Sequence, residues 1–202
     1  MLSFDPKDNT ERENYKLLIG TVIPRPVAFI TSQSKDGIVN AAPFSYFNIA
    51  ATDPPMLSVS LQRKNGVLKD TTRNIINTGE FVIHIVDEEN VTEVNKTAAT
   101  LPSDESEIVV TNLKLVASDK VSVPAVRNAK ARFECTLEKA IELGPDGKTT
   151  ADFIIGKIEK FHIAEEIYES GKINYDKLRA VSRLAGHDYA KVGEVFSIAR
   201  PK

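Results

Sequence analysis

One cysteine and three histidines in 202 residues are too few for most thiol and metal chemistry. Cys135 has no internal partner for a disulfide, and a single cysteine makes no cysteine metal site. Its flanks, Arg132-Phe133-Glu134 and Thr136-Leu137-Glu138, alternate as a strand does, which predicts a buried structural thiol rather than a nucleophile. His84, His162 and His187 are far apart and lack paired carboxylates at ligand spacing, so no metal is expected. No apolar run approaches the roughly 18 residues of a membrane span, and no basic stretch leads into an apolar run at the start. No membrane contact and a cytoplasmic location are the expectation. An excess of one charge is missing too: 26 basic against 28 acidic residues leave a net charge of −2 and a pI near 6.0. That balance excludes the broad basic face of a nucleic-acid binder, though not a local phosphate site. No serine stands in a nucleophile-elbow context, which disfavours hydrolysis. Internal repeats, low-complexity tracts and linkers are absent, and the length suits one domain spanning 1–202.

What is present is a succession of short strands with few helices. Thr10-Glu11-Arg12-Glu13 fits a capping box, and Tyr15, Leu18 and Ile19 follow at helical spacing, so a short N-terminal helix should end near Gly20. Val27 to Gln33 is an apolar strand; Ser34-Lys35-Asp36-Gly37 is turn chemistry, and Ile38 to Ala41 can return antiparallel. After Pro54-Pro55, Met56 to Gln62 alternates with period two and sets Ser58, Ser60 and Gln62 on one face. Asp70 to Gly79 reads as a helix capped by Asp70 and closed by the glycine, followed at once by the strand Glu80 to Val86. Asp87 to Thr100 is a second helix candidate, with Val91, Val94 and Ala98 on one stripe. The acidic stretch Pro102 to Glu107 is expected to be a solvated loop. Ala131 to Leu143 and Thr150 to Ile163 flank Gly144-Pro145-Asp146-Gly147, a hairpin signal. Strands joined by turns rather than by helices predict a mainly β chain with α decoration, an antiparallel closed or partly open barrel.

The chemistry concentrates between Pro24 and Arg73. Arg63-Lys64 ends a strand and Lys69-Asp70-Thr71 opens a helix, so cations, a hydroxyl and free amides can converge on one anion. The alternative is a solvated basic turn. Thr31 and Ser32 on one strand, and Asn40-Ala41-Ala42-Pro43-Phe44-Ser45-Tyr46 on the next, offer polar groups beside small residues that admit a flat ring. These can equally be hairpin residues and a proline-broken strand. His84, alternating with apolar neighbours, reads as a packed or hydrogen-bonded strand residue, and His162 also sits in a strand run. His187, between Gly186 and Asp188 in a non-repetitive segment, is the histidine that stands out as an acid–base candidate.

PRPVAFITS, the DG turn, NAAPFSYFN, PP and KDTTRNI followed by EFVIHIV resemble the flavin reductase-like, FMN-binding split-barrel family. FIIGKIEKFHIAE and SRLAGHDYAKVGEVF extend the likeness over most of the chain, nearest to the flavoredoxin and monooxygenase reductase-component branch. The resemblance implies a split antiparallel β-barrel and a homodimer with one FMN per subunit, FAD being an alternative flavin. It also implies an N-terminal helical arm (1–22) and a C-terminal arm (165–202) that completes the site or the dimer. On matching positions, Thr31, Ser32 and the backbone of Asn40, Ala41 and Ala42 would hold the ring edge and ribityl chain. Ser45, Tyr46 and Phe47 would line the ring. Arg63, Lys64, Lys69, Asp70 and Thr71 would form the phosphate end. Arg183, His187 and Tyr189 would approach from the C-terminal segment, His187 as the catalytic candidate. The implied activity is reduction of bound or free flavin by NAD(P)H. One departure favours a different class. Many NAD(P)H-using members resemble a Gly-Asp-His pattern before the barrel-closing strand, whereas this chain reads Thr150-Ala151-Asp152-Phe153, keeping only Asp152. An FMN-holding electron carrier reduced by a redox partner protein is the alternative.

Overall fold

The computed structural model describes residues 1–99 and 101–201. Seven strands form one antiparallel sheet: β1 (Ala28–Gln33), β2 (Val39–Phe44), β3 (Phe47–Thr52), β4 (Pro55–Gln62), β5 (Glu80–Ile85), β6 (Ala131–Leu143) and β7 (Ala151–Ile163). Their order across the sheet is β2-β1-β5-β6-β7-β4-β3. The two outermost strands, β2 and β3, are consecutive in the chain and joined by only Ser45 and Tyr46. Such a short link draws the two edges together, and the Ser60 amide on β4 donates to the Tyr46 carbonyl at 2.8 Å. The sheet therefore curls into a split barrel.

The turns explain the pairing. Gly37 adopts φ +86° in the β1–β2 hairpin, which places Ser32 opposite Asn40 and Thr31 opposite Ala41. Gly144 and Gly147, both at positive φ, turn the 13-residue strands β6 and β7 into the longest hairpin. Inside the barrel Ile30, Leu57, Val59, Leu61, Phe81, Ile83, Cys135 and Ile154 pack together with Ile75 of the helix α2 (Asp70–Thr78). Cys135 is the inert thiol that its flanks predict: it is fully buried, and burial pushes its ionisation well above the usual range.

The N-terminal helix α1 (Glu11–Thr21) carries both halves of its capping box. The Glu13 amide donates to Thr10 Oγ1, and the Thr10 amide donates to Glu13 Oε2 at 2.8 Å. Helix α2 ends as expected on Gly79 in the left-handed conformation, but its start differs. Lys69 holds the capping position without a side-chain cap, and Asp70, already inside the first turn, pairs with Arg73 at 2.5 Å. The helix expected over Asp87–Thr100 is only α3 (Val91–Lys96). The Asp87 carboxylate accepts from the amides of Glu89 and Asn90, a local turn that competes with helix and delays its onset. Thr100 lies outside the described residues. A second, three-stranded sheet pairs Arg25–Pro26 with Val181–Arg183 and that strand with Tyr189–Lys191, bringing the C-terminal segment beside the end of α1. No helix among the described residues is long and apolar enough to cross a membrane.

Candidate functional site

A cavity of about 760 Å³ opens where β2, the Ser45-Tyr46 link, the start of α2, the end of α1 and the C-terminal segment meet. That volume lies in the range of small-molecule and cofactor sites. Asn40, Ala42, Ser45 and Tyr46 line it from the barrel side, with Ser60 and Gln62 of β4 beside them. Lys64, Lys69, Asp70, Thr71 and Arg73 line the α2 end, where the first amides of a nine-residue helix have no intrahelical partner. Arg25 and Arg183 line the opposite flank. Five cationic side chains thus face two carboxylates, Asp70 and Glu107, in a chain whose net charge is −2. An anionic ligand is the physical complement of such a lining.

Beneath the α2 end a buried polar network sets donors and acceptors. Asn40 Nδ2 donates to Glu107 Oε1 at 2.9 Å, and the Ala41 amide donates to Glu107 Oε2 at 3.0 Å. With its amide fixed that way, Asn40 Oδ1 accepts from Thr71 Oγ1 at 2.6 Å and from Ser32 Oγ at 3.3 Å. Asn74 Nδ2 donates in turn to Ser32 Oγ. Glu107 is 7% exposed, and burial pushes its carboxyl above the usual range, Asp70 nearby adding to the effect. The acidic stretch expected to be a solvated loop therefore ends in a buried, hydrogen-bonded carboxylate. Pro102 to Glu105 are exposed as anticipated.

Of the residues singled out from sequence, Asn40, Ala42, Ser45, Tyr46, Lys64, Lys69, Asp70, Thr71 and Arg183 come together around the cavity. Others lie elsewhere. Thr31 is fully buried and donates to the Pro124 carbonyl at 2.8 Å, and Ser32 reaches the site only through Asn40. Ala41 and Phe47 are core residues. Arg63 turns away from the cavity: Nε donates to Asp152 Oδ2 at 3.0 Å, Nη2 to Asp152 Oδ1 at 2.6 Å and to Glu142 Oε1 at 2.8 Å. These contacts hold its guanidinium against Asp152 and Glu142, while its neighbour Lys64 lines the cavity. His187 sits exposed in the turn after Arg183, outside the lining. Tyr189 lies under Arg183, whose guanidinium carbon is 4.5 Å from the ring centroid, and so positions Arg183 at the rim.

The sequence reading missed Arg25, Arg73 and Glu107. Arg25, in the PRPVAF stretch, and Arg73, at the end of KDTTR, carry no local signature beyond their charge. Glu107 is joined to Asn40 across 67 positions, which no local pattern reveals.

The remaining histidines are structural. His84 is buried, its Nδ1–H donates to the Phe29 carbonyl at 2.9 Å and its Nε2 accepts from the Val126 amide at 2.8 Å. Burial lowers its pKa to about 4. His162 contacts Glu134 Oε1 at 2.5 Å, and Asp119 lies close enough for the three to resemble a metal cluster. Their atoms are already engaged, since Glu134 also accepts from the amides of Asp119, Lys120 and Val121, and Lys160 pairs with Asp119.

Comparison with known proteins gives these features a family. Residues 19–181 match the model of the flavin reductase like domain. The nitrilotriacetate monooxygenase component B from Bacillus cereus is 53% identical, with a TM-score of 0.96 over 98% of each chain. The 2-nitrobenzoate 2-nitroreductase NbaA of Pseudomonas fluorescens is 28% identical, with a TM-score of 0.88 over 99% of this chain and 96% of its own. A Shewanella frigidimarina protein with a split barrel domain aligns over 100% of both chains at a TM-score of 0.83, and at 17% identity that likeness shows the fold alone. With the domain model covering the barrel and most of the cavity walls, the chain belongs to the flavin reductase-like family.

Proposed function

We propose that this protein is an FMN-binding oxidoreductase that uses NADH or NADPH to reduce bound or free flavin. The observation that carries the reading is the cavity itself: a net-positive lining that gathers Lys64, Lys69, Arg73 and the first amides of α2 at one end, beside a bed of Ala42, Ser45 and Tyr46. The residues present fit a flavin mononucleotide. The cationic α2 end is complementary to its phosphate, the small side chains of β2 admit a flat ring near the backbone, and Asn40 and Thr71 offer polar atoms between the two. When bound, the flavin supplies a centre that accepts a hydride and hands on electrons. The chain's own residues bind and orient it. Lys64, Lys69 and Arg73 neutralise the phosphate, Glu107 fixes the Asn40 amide, and Tyr189 steadies Arg183 at the rim. Tyr15 and Ile19 of the N-terminal arm (1–22) and Arg183 and Leu184 of the C-terminal arm (165–202) supply further walls of the site. A homodimer in which these arms also meet the second subunit is part of the proposal, and solution is the expected setting.

Likeness to a monooxygenase component B supports the version in which reduced flavin passes to a partner enzyme. One observation favours the second reading, an FMN-holding carrier reduced by a redox partner protein. Among the described residues the cavity contains no histidine, and Asp152, which remains from the nicotinamide-associated pattern, is bonded to Arg63.

The absorbance spectrum of the purified protein, before and after denaturation, tests the cofactor. Anaerobic mixing of the flavin-loaded protein with NADH or NADPH tests the donor: rapid bleaching of the oxidised flavin band at about 450 nm is the expected result. A band that persists until a protein reductant is added establishes the carrier instead. A protein that takes up no flavin overturns both.

A further inference from the structure

On the flank opposite α2 a buried guanidinium lines the cavity without a counter-charge. Arg25 is only 7% exposed. Its Nη1 donates to the carbonyls of Ile19 at 2.9 Å and Val22 at 2.5 Å, and its Nη2 to that of Leu184 at 2.9 Å. All three acceptors are neutral. Among the described residues no carboxylate pairs with Arg25, and its Nε is buried with no hydrogen-bond partner. A guanidinium carries five N–H donors, of which three are committed here. The Nε–H and one Nη2–H remain, two donors of the kind that clasp the paired oxygens of a carboxylate or phosphate. A buried cation is costly to hold unless it is paired, so this arrangement points to an anion brought by a ligand.

The surroundings specify more. Tyr15 and Tyr46 line the same cavity, where burial pushes the Tyr46 hydroxyl above its ordinary ionisation range and Arg25 opposes that shift. Arg25 is fastened by the end of α1 and by Leu184, whereas Lys64 and Lys69 stand on the turn into α2. A ligand whose single phosphate occupies the α2 end leaves Arg25 unanswered.

We propose that Arg25 marks a second anion subsite, which takes the oxyanion of a planar second reactant beside Tyr46, separate from the phosphate cradle at α2. The proposal rests on the flavin reading only for the identity of the first ligand. The oxyanion has two chemical sources, the carboxylate of an aromatic acid or the phosphate of a nicotinamide nucleotide.

Titration calorimetry on flavin-free and FMN-loaded protein separates these outcomes, with benzoate, its neutral isostere benzamide, and nicotinamide mononucleotide as probes. Benzoate or the mononucleotide should bind at least about tenfold more tightly than benzamide. Arg25→Gln should abolish that margin, Arg25→Lys should keep part of it, and Lys69→Ala should leave it intact while weakening FMN. A preference for benzoate identifies a carboxylate source, and one for the mononucleotide a phosphate source. Should Arg25→Gln fail to fold, the wild-type comparison of benzoate with benzamide and the Arg25→Lys variant still decide the matter. A wild-type protein that binds no FMN yet keeps the anion margin sinks the flavin reading and leaves this one standing. Equal affinity for the charged and neutral probes, wild-type margins in both Arg25 variants, or loss of the margin in Lys69→Ala would overturn it.

Discussion

Arg63 and Asp152 form a two-point ion pair across the β4–β7 seam, with Nη2 2.6 Å from Oδ1 and Nε 3.0 Å from Oδ2. Asp152 is 3% exposed at its side chain and stands opposite Leu61 in the register, so the pair fastens the end of β4 to β7 just before the cavity wall begins. Breaking such a pair strands a charge in a poorly solvated place. Asp152→Ala is expected to lower the unfolding temperature by about 3–8 °C in a thermal melt. Arg63→Ala should destabilise in the same direction yet leave FMN affinity within about threefold of wild type, a change too small to reflect a lost charged contact. A Kd for FMN raised tenfold or more in Arg63→Ala would return Arg63 to the phosphate end.

The pairing of Arg63 also shows where sequence reading stops. Strand alternation, the Gly37 and Gly144–Gly147 turns and the Gly79 helix end are local effects, and each was legible from a few adjacent residues. Lys64, Lys69 and Thr71 were legible for the same reason, because a strand end and a helix start are both written locally. Arg63 was not: its partner lies 89 positions away, and only the β4–β7 register reveals which side it faces. Glu107 looked solvated because its neighbours are acidic and exposed, while its burial depends on a fold-back against β2. Arg25 carried no signature beyond its charge, since its three carbonyl partners are Ile19 of α1, Val22 just after it and Leu184.

His84 should make stability depend on pH. Both ring nitrogens are committed, Nδ1–H to a carbonyl and Nε2 to an amide, so a second proton would face the Val126 N–H in a buried site. Burial lowers the folded pKa from 6.5 to about 4. Below pH 6.5 the unfolded chain binds this proton more readily than the folded one, so the contribution is complete above pH 6.5 and is lost as pH falls toward 4. The loss amounts to about 3 kcal/mol over that window. Urea denaturation from pH 7 to pH 4 should show it, and His84→Gln, though less stable at pH 7, should have a distinctly flatter profile. Parallel profiles for the two proteins would remove His84 as the cause.

Gly156 is required by contact rather than by backbone conformation. A Cβ at this position on β7 would run into the ring of Phe81, which is fully buried in the barrel core. Gly156→Ala should therefore cost about 1–3 kcal/mol through overpacking. Combining it with Phe81→Leu should cost less than the two single changes added together, because the smaller side chain yields the space. Simple additivity in chemical denaturation would show that the strain is relieved somewhere else.

The hydroxyl of Thr71 divides the cavity chemically. Glu107 fixes the Asn40 amide, so Thr71 Oγ1 commits its proton to Asn40 Oδ1 and turns only lone pairs toward a ligand. A phosphate, which only accepts, gains nothing from such an oxygen, whereas a ligand hydroxyl can donate to it. Lys69, exposed and at the start of α2, has the opposite character. Thr71→Val is thus expected to weaken riboflavin and FMN alike, by about fivefold, the worth of one neutral hydrogen bond. Lys69→Ala should weaken FMN by about 10- to 100-fold, lessen its salt dependence and leave riboflavin unchanged, as the loss of a charged phosphate contact requires. Quenching of flavin fluorescence with both ligands reads the four affinities directly. A Thr71→Val defect confined to FMN would place the phosphate against that hydroxyl and reverse the polarity assigned to the Asn40–Thr71 pair.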